Sequence, residues 1–544
     1  MRDADIPMQD ACIVSTRDEA PVLLAGGGLV GLSTAMFLAQ HGIPSLAIEK
    51  LRGGSRLPRA AFFHMRTLEM FRSAGIEEEV RRQSLEEFEP EGAIVLMDSL
   101  AGPQLAGLIP SLNEGVDAIS PCRRLFVTQP GLEPILRARA EQEGARVLEG
   151  NEVIGLEQDA DGVTAIVRDV DTGQEQRLRG SYLVGTDGAH SKVRELLDIE
   201  FDGRGVFTNS ITIYFHAPLA SLLVGKNLSV IYIKNSVLSG FFRLDKDCNS
   251  GFLVVNTAGD TSRPEAANPA ADVGESRLIE FVRAAAGVPD IPVKIDGVAR
   301  WRATSDLARR FREGRVFLAG DAAHLMPPNG GYGGNTGIHD AHNLAWKLAL
   351  VLRGVASPDL LSTYEMERRP AAGLTVEQAY TRYVTRSAPY LGAKDFQPLV
   401  NDFDIEVGYL YRSPAIVAEE NIDRIHEDPR ESRGRPGSRA PHVWVEKDGR
   451  RVSTLDLCGR GFTLLAASAG AVWLEAARVA EREIAGLEVG AQVIGDDAFA
   501  PAYGLTATGA ALIRPDGFVA WRVKEAPENA SAAVVAALRS VLMR

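Results

Sequence analysis

The stretch Pro21–Glu49, PVLLAGGGLVGLSTAMFLAQHGIPSLAIE, decides how the chain begins to fold. Pro21–Ala25 is a short apolar run of the kind that makes a parallel strand buried on both faces. The spacing Gly26-x-Gly28-x-x-Gly31 follows at once. Leu32–His41 then reads as a helix that Gly42 ends, and Ser45–Ile48 as a second buried strand delivering Glu49. Strand, glycine turn, helix and strand in this order make a dinucleotide-binding βαβ unit. The glycines permit a tight turn and let the backbone approach a pyrophosphate. The helix start offers unpaired N–H groups and about half a positive charge. Glu49 would accept hydrogen bonds from ribose hydroxyls, and an acid there favours NAD or FAD over NADP. Pro21–Ala39 is uncharged, but Gly26, Gly27, Gly28 and Gly31 break it as a membrane span.

Working outward, the 544 residues leave room for two to four domains at about 150 residues each. The formal charge of −13 comes with no clustered basic face, which argues against a nucleic-acid partner. The arginine-rich stretch Arg424–Arg439 also holds Glu427, Asp428 and Glu431 and reads as a solvated linker. Cys12, Cys122, Cys248 and Cys458 lie far apart with no CxxC pair, which points to a reduced, cytoplasmic compartment without a structural metal. Arg2, Asp3, Asp5 and Asp10 exclude a signal peptide at the start, and no membrane partner is expected.

Two further segments decide between NAD and FAD. In Tyr182–Arg194, YLVGTDGAHSKVR, an apolar strand runs into Asp187-Gly188. In Arg315–Leu348, RVFLAGDAAHLMPPNGGYGGNTGIHDAHNLAWKL, the strand Val316–Ala319 delivers Gly320-Asp321. Pro327-Pro328 and a loop with Gly330, Gly331, Gly333 and Gly334 come next. A helix from near Thr336 then keeps Ile338, Ala341, Leu344, Ala345, Leu348 and Leu352 on helical spacing up to Gly354. An aspartate can hold the ribityl hydroxyls of a flavin. A glycine loop at a helix start can set N–H groups against the pyrimidine end of the ring, where reduction puts negative charge.

With these three motifs in this order, the chain resembles the class A FAD-dependent aromatic hydroxylases, the para-hydroxybenzoate hydroxylase-like group, over about Pro21–Pro370. The resemblance implies Gly26, Gly28, Gly31, Glu49 and Lys50 around the adenosine and pyrophosphate. It implies Arg59 at the phosphate region, with Arg66 as a second candidate, and Gln129 at the FAD linker. Asp187 and Gly188 would serve both FAD and NAD(P)H, and Gly320 and Asp321 the ribityl chain. Pro328, Gly333, Gly334 and Asn335 would lie beside the flavin ring, so that Pro328, Gly334 and Asn335 are its candidate catalytic loop. It further implies that NADPH or NADH reduces the flavin, that O₂ forms a C4a-hydroperoxide, and that one oxygen passes to an electron-rich phenolic or aromatic polyketide ring.

The expected fold is α/β, a Rossmann-like FAD-binding domain with an inserted antiparallel-sheet substrate domain and a C-terminal thioredoxin-like domain. The FAD-binding domain would comprise residues 1–200 and 296–400, the substrate domain 201–295, a linker 401–440, and the thioredoxin-like domain 441–544. Ser210–His216, Ser229–Ile233 and Gly251–Asn256 read as substrate-domain strands. On them Tyr214, His216, Tyr232, Phe241 and Phe252 are candidates to line a pocket, with His216 or a tyrosine as a base. His324 reads as structural. Pro370 separates a helix-like stretch from Leu374–Arg386. In the tail, Ser453–Leu457 and Phe462–Ala466 read as strands and Val472–Ile484 as a helix, and Gly437–His442 and RPDGFVAWR strengthen the likeness to larger hydroxylases of aromatic polyketides and phenols, including those of antibiotic biosynthesis. With Cys458 alone the tail would be redox-dead and could brace the fold or a homodimer. An FAD oxidase or dehydrogenase without oxygen transfer stays open, as does a non-catalytic flavin- or ligand-binding protein. No W-x-W-x-x-P halogenase motif is present.

Overall fold

A computed structural model describes residues 20–55, 62–259, 273–391, 395–421 and 423–544. Val22–Ala25 (β1) is buried on both faces, as its uniformly apolar sequence requires. It pairs in parallel with Ser45–Glu49 (β2) on one side and Tyr182–Gly185 on the other. Arg146–Glu149 and Val316–Leu318 extend the sheet in parallel at its two ends, and the two-residue strand Arg312–Glu313 closes one edge antiparallel. Leu29–Gln40 (α1) and the helix Tyr332–Leu352 pack together against this sheet and share its core.

Both helices begin earlier than glycine content suggests. Glycines inside both helices also permit close approach. A Cβ on Gly31, in the first turn of α1, would stand 1.9 Å from the Gly26 carbonyl oxygen. One on Gly337 would stand 3.0 Å from the Gly320 Cα. Pro370 likewise lies inside one helix, Ser362–Arg386, where it does not end the element. It sits on the exposed side, and the helix is pinned on its buried side by Glu367 and Arg368.

An eight-stranded sheet makes the second layer, in the order His324–Leu325, Lys294–Ala308, Phe201–His216, Ser250–Ala258, Leu238–Leu244, Leu228–Lys234, Ala93–Met97 and Gln104–Ile109. All neighbours are antiparallel except the Leu228–Lys234/Ala93–Met97 pair. Ala93–Ile109, within the stretch expected in the nucleotide-binding half, therefore extends the substrate sheet. One face, with Ile213, Phe242 and Leu253, packs on the helix Glu275–Ala286 through Phe281 and Val282. The other face turns toward the first layer.

The tail forms a four-stranded sheet in the order Val489–Val493, Phe462–Ala466, Ala510–Ile513, Val519–Val523, with Ala510–Ile513 antiparallel to both neighbours, the thioredoxin-like arrangement. Thr454–Leu457, expected as strand, is a short 3₁₀ turn, because Ser453 and Asp456 form a capping box. Burial pushes the Cys458 thiol up to about 12, far from the reactive range.

The segment expected as a solvated linker is packed. Tyr411 stacks on Phe518 with ring centroids 4.0 Å apart, and the buried Arg439 donates to the Ile119 carbonyl at 2.8 Å. Glu427 and Arg439 are buried in it, while Arg424, Arg430, Glu431 and Arg433 stay exposed.

Candidate cofactor and substrate site

The turn after β1 is shaped by steric need. Gly26 has φ +105°, and a Cβ there would lie 2.5 Å from the Thr186 carbonyl oxygen. Gly28 caps α1 without a side-chain partner, and the first turn holds no acid. The start of Tyr332–Leu352 is the same: Gly331 caps it at φ +70°, with neither side-chain cap nor acid. Two helix N-termini are thus kept open for negative charge. Glu49 ends β2, its carboxylate accepting from the Gly27 N–H at 2.7 Å and the Leu51 N–H at 2.8 Å. Asp321 lies exposed in the 3₁₀ turn after Val316–Leu318, behind Gly320 at φ +63°. A Cβ on Gly320 would meet Val30 of α1 at 2.8 Å, which fixes how closely the two motifs approach. The residues fit a dinucleotide laid across the ends of the parallel strands, pyrophosphate on α1 and an electron-accepting ring at Gly331.

Arg59 lies outside the described residues. Lys50 is exposed. Gln129 opens the helix Gln129–Gln142, its amide donating to Glu133 at 2.8 Å. Glu133 in turn accepts from the Ser55 N–H at 3.0 Å, and burial raises its pKa. Asp187 accepts from Ser191 Oγ and from the Val193 N–H at 3.0 Å, so its carboxylate serves the start of the helix Lys192–Leu196, while Gly188 takes φ +82° beside it. Arg66 is buried against Glu69 at 2.8 Å, so it is not a surface charge.

The Asn335 side chain is fully engaged within the fold. Its Oδ1 accepts from the His64 N–H at 2.9 Å and Thr67 Oγ1 at 2.6 Å, and its Nδ2 donates to the carbonyls of Phe62 at 2.9 Å and Gly331 at 2.7 Å. A side chain with all of these bonds is saturated. Its side chain ties the segment Phe62–Thr67 to the glycine loop. Pro328 is exposed and Gly333 and Gly334 half-buried at that loop. His324 is buried, 2.8 Å from Asp340, as its structural reading requires.

On the substrate sheet, Tyr214 lies opposite Phe252, and Tyr232 opposite Phe241. Their rings form a continuous row: Tyr214–Phe252 at 6.2 Å, Phe252–Phe241 at 6.4 Å and Phe241–Tyr232 at 5.7 Å. Tyr214 and Tyr232 are buried, whereas Phe241 and Phe252 are partly open. His216 does not join them. Its side chain is 58% exposed and pairs with Asp296, which removes it as a pocket base. Phe62, Phe88 and Phe126 extend the row, and no sequence periodicity marks them, because they lie outside the strands that carry Tyr214, Tyr232, Phe241 and Phe252. Phe62 stacks on Phe126 at 4.7 Å and lies against Gly331, whose added Cβ would stand 3.0 Å from the Phe62 ring. The aromatic face thus runs up to the glycine loop. A ring bound there would be held by stacking and edge contacts worth about 1 kcal/mol each beyond burial. A small cavity lined by His64, His339, Arg368 and Tyr409 beneath the loop has room for about one water and cannot take a ring.

Comparison with known proteins agrees with this geometry. Residues 19–379 match the family described as FAD binding domain, and residues 433–544 the family described as aromatic-ring hydroxylase, C-terminal. The 4-methyl-5-nitrocatechol 5-monooxygenase of Burkholderia sp is 51% identical over 97% of this chain and 98% of its own. Aklavinone 12-hydroxylase RdmE of Streptomyces purpurascens is 38% identical over 97% of this chain and 99% of its own. The crystal structure of a ternary complex of aklavinone-11 hydroxylase with FAD and aklavinone matches with a TM-score of 0.90 at 37% identity, covering 97% of this chain and 99% of that one. The chain belongs to the FAD-binding aromatic-ring hydroxylases and is an FAD-dependent monooxygenase that uses NAD(P)H and O₂ on an aromatic substrate.

Proposed function

We propose that the substrate is a small phenolic ring of catechol size, hydroxylated on the aromatic face made by Tyr214, Phe252, Phe241 and Tyr232. The observation that carries this is the continuity of that face with Gly331, which would bring a ring lying on it to the reactive edge of the flavin. The 51% identity to a nitrocatechol monooxygenase, against 38% to a polyketide hydroxylase, supports the small substrate. Bound FAD would supply the redox chemistry that links the nicotinamide, O₂ and the ring. The protein's share is to seat the pyrophosphate on α1, the ribityl chain on Asp321 and the ring against Gly331–Asn335, and to keep water from the aromatic face. The free thiols of Cys122, Cys248 and Cys458 suit a reducing cytoplasm.

The test is to load the protein with FAD and follow NADH and NADPH oxidation, O₂ uptake and product mass with catechol, 4-nitrocatechol, naphthols and a tetracyclic polyketide. A hydroxylated product from the catechols, formed faster than from the tetracycle, is expected. Preference for the tetracycle, or H₂O₂ as the sole product with every ring, would overturn the assignment.

A further inference from the structure

We propose that Arg243 is a specificity residue that receives the anionic oxygen of the substrate, so that the enzyme selects phenols already ionised in water. The inference rests on the phenolic reading above and refines it. Arg243 lies on Leu238–Leu244 directly opposite Phe252, on the face of the sheet that carries the aromatic row. It is 4% exposed. Nη1 donates to the Ser229 carbonyl at 2.6 Å, while Nε and Nη2 are buried with no hydrogen-bond partner among the described residues. The rings of Phe88 and Phe126 lie 3.9 and 3.8 Å from its Cζ. Ring faces attract the cation but accept nothing from N–H donors pointing along the guanidinium plane. The acids nearest in charge are engaged elsewhere: Asp245 accepts from Ser250 Oγ, and Glu87 from the Thr128 N–H at 2.6 Å and Gln83 at 2.9 Å. Burial without a carboxylate partner lowers the Arg243 pKa to about 9. A buried cation of this kind, with two donors side by side, matches an oxyanion that enters with the ligand. Phe126 carries the contact onward to Phe62 and Gly331, so two rings separate the cation from the glycine loop.

The chemistry is consistent in its protons. A catechol with an electron-withdrawing substituent gives up its phenolic proton to bulk water before binding. No side chain then has to take it, and the exposed His216 is not needed as a base. The anion is also the more electron-rich ring and the better acceptor of an electrophilic oxygen.

The experiment compares 4-nitrocatechol and catechol, at a pH where the first is ionised and the second is not, on the FAD-loaded protein. Dissociation constants come from the nitrocatecholate absorbance band and from flavin difference spectra, and KM and kcat from product formation. Arg243→Met should weaken 4-nitrocatechol binding by about 100-fold, the size expected for losing a buried charge-assisted pair, and catechol by no more than about threefold. Arg243→Lys, which keeps the charge but loses the fork, should fall between and guards against a misfolded Met variant. Equal losses on both ligands would make Arg243 a structural pillar, and no loss on nitrocatechol would remove it from the site. Either overturns the proposal. The equilibrium titrations stand even if no phenol is hydroxylated, so failure here and failure of the substrate assignment are distinguishable.

Discussion

His342 sits on the buried face of Tyr332–Leu352, its ring edge-on to Phe37 of α1 at 4.7 Å. Burial, and then the charge of Arg66, lower its pKa from 6.5 to about 3. The sign follows from linkage. Between those two values the unfolded chain binds a proton that the folded chain refuses, so folding stability is complete above about pH 6.5 and falls as pH drops toward 3. The slope this residue adds is at most about 1.4 kcal/mol per pH unit. His342→Leu should therefore flatten the decline of melting temperature between pH 6 and 4. Parallel curves for the two proteins would refute this role. The same scale shows where a sequence misleads. Asn335 and Asp187 stand in motifs whose residue types suit a cofactor, but the partners that use them, Phe62–Thr67 and Ser191–Val193, are set by backbone approach. Arg243 carries no local sequence signal, because an arginine on a strand reads as a surface charge until the rings around it are known.

Among the elements, α1 and its turn hold the cofactor site together through one contact. A Cβ on Gly31 would lie 1.9 Å from the Gly26 oxygen, and both atoms belong to the backbone turn that must cradle a pyrophosphate. Gly31→Ala should cost about 1–3 kcal/mol of strain. If the strain falls on the bound state, FAD binds about tenfold more weakly. The measurement is flavin absorbance per protein across an FAD titration, and wild-type affinity in the variant would show that the turn has room to open. Elements like β1, α1 and β2 were legible because strand burial, glycine spacing and helix periodicity agree at one place. The strands Phe201–His216 and Ser250–Ala258 were legible in part by alternation. Pro370 reads as a break, but it lies on the exposed side of the helix, where water takes the freed carbonyl, and the buried side keeps the element continuous. Ala93–Ile109 carries no local sign of which sheet it joins, since that is decided by its parallel pairing with Leu228–Lys234 far along the chain.

At the scale of the whole molecule, the tail is joined to the FAD-binding layer by a buried network of charge. Arg514 donates to Glu367 through both terminal nitrogens, at 2.6 and 2.9 Å. Asp516 accepts from Asn343 at 3.1 Å and Trp346 at 3.2 Å, both on Tyr332–Leu352. Lys347 donates to Glu367 at 2.7 Å, and burial lowers its pKa to about 8 despite that partner. All four charged groups are at most 2% exposed. The helix that begins at the flavin loop is therefore clamped at its middle by the RPDG turn of the tail. The sequence shows that turn only as Pro-Asp-Gly, an ordinary surface signal, because its burial exists only once the tail docks. Glu367→Gln would leave Arg514 and Lys347 facing each other with one carboxylate, Asp516, between them. Removing one partner of a buried pair costs about 3–5 kcal/mol. The expected result is a lower first transition in calorimetry and separate melting of the tail and the FAD-binding layer. FAD should be released at the first of these, since the loop at Gly331 moves with its helix. A single transition at the wild-type temperature would mean that the tail is bound by its apolar contacts alone and that the charges serve only to orient it.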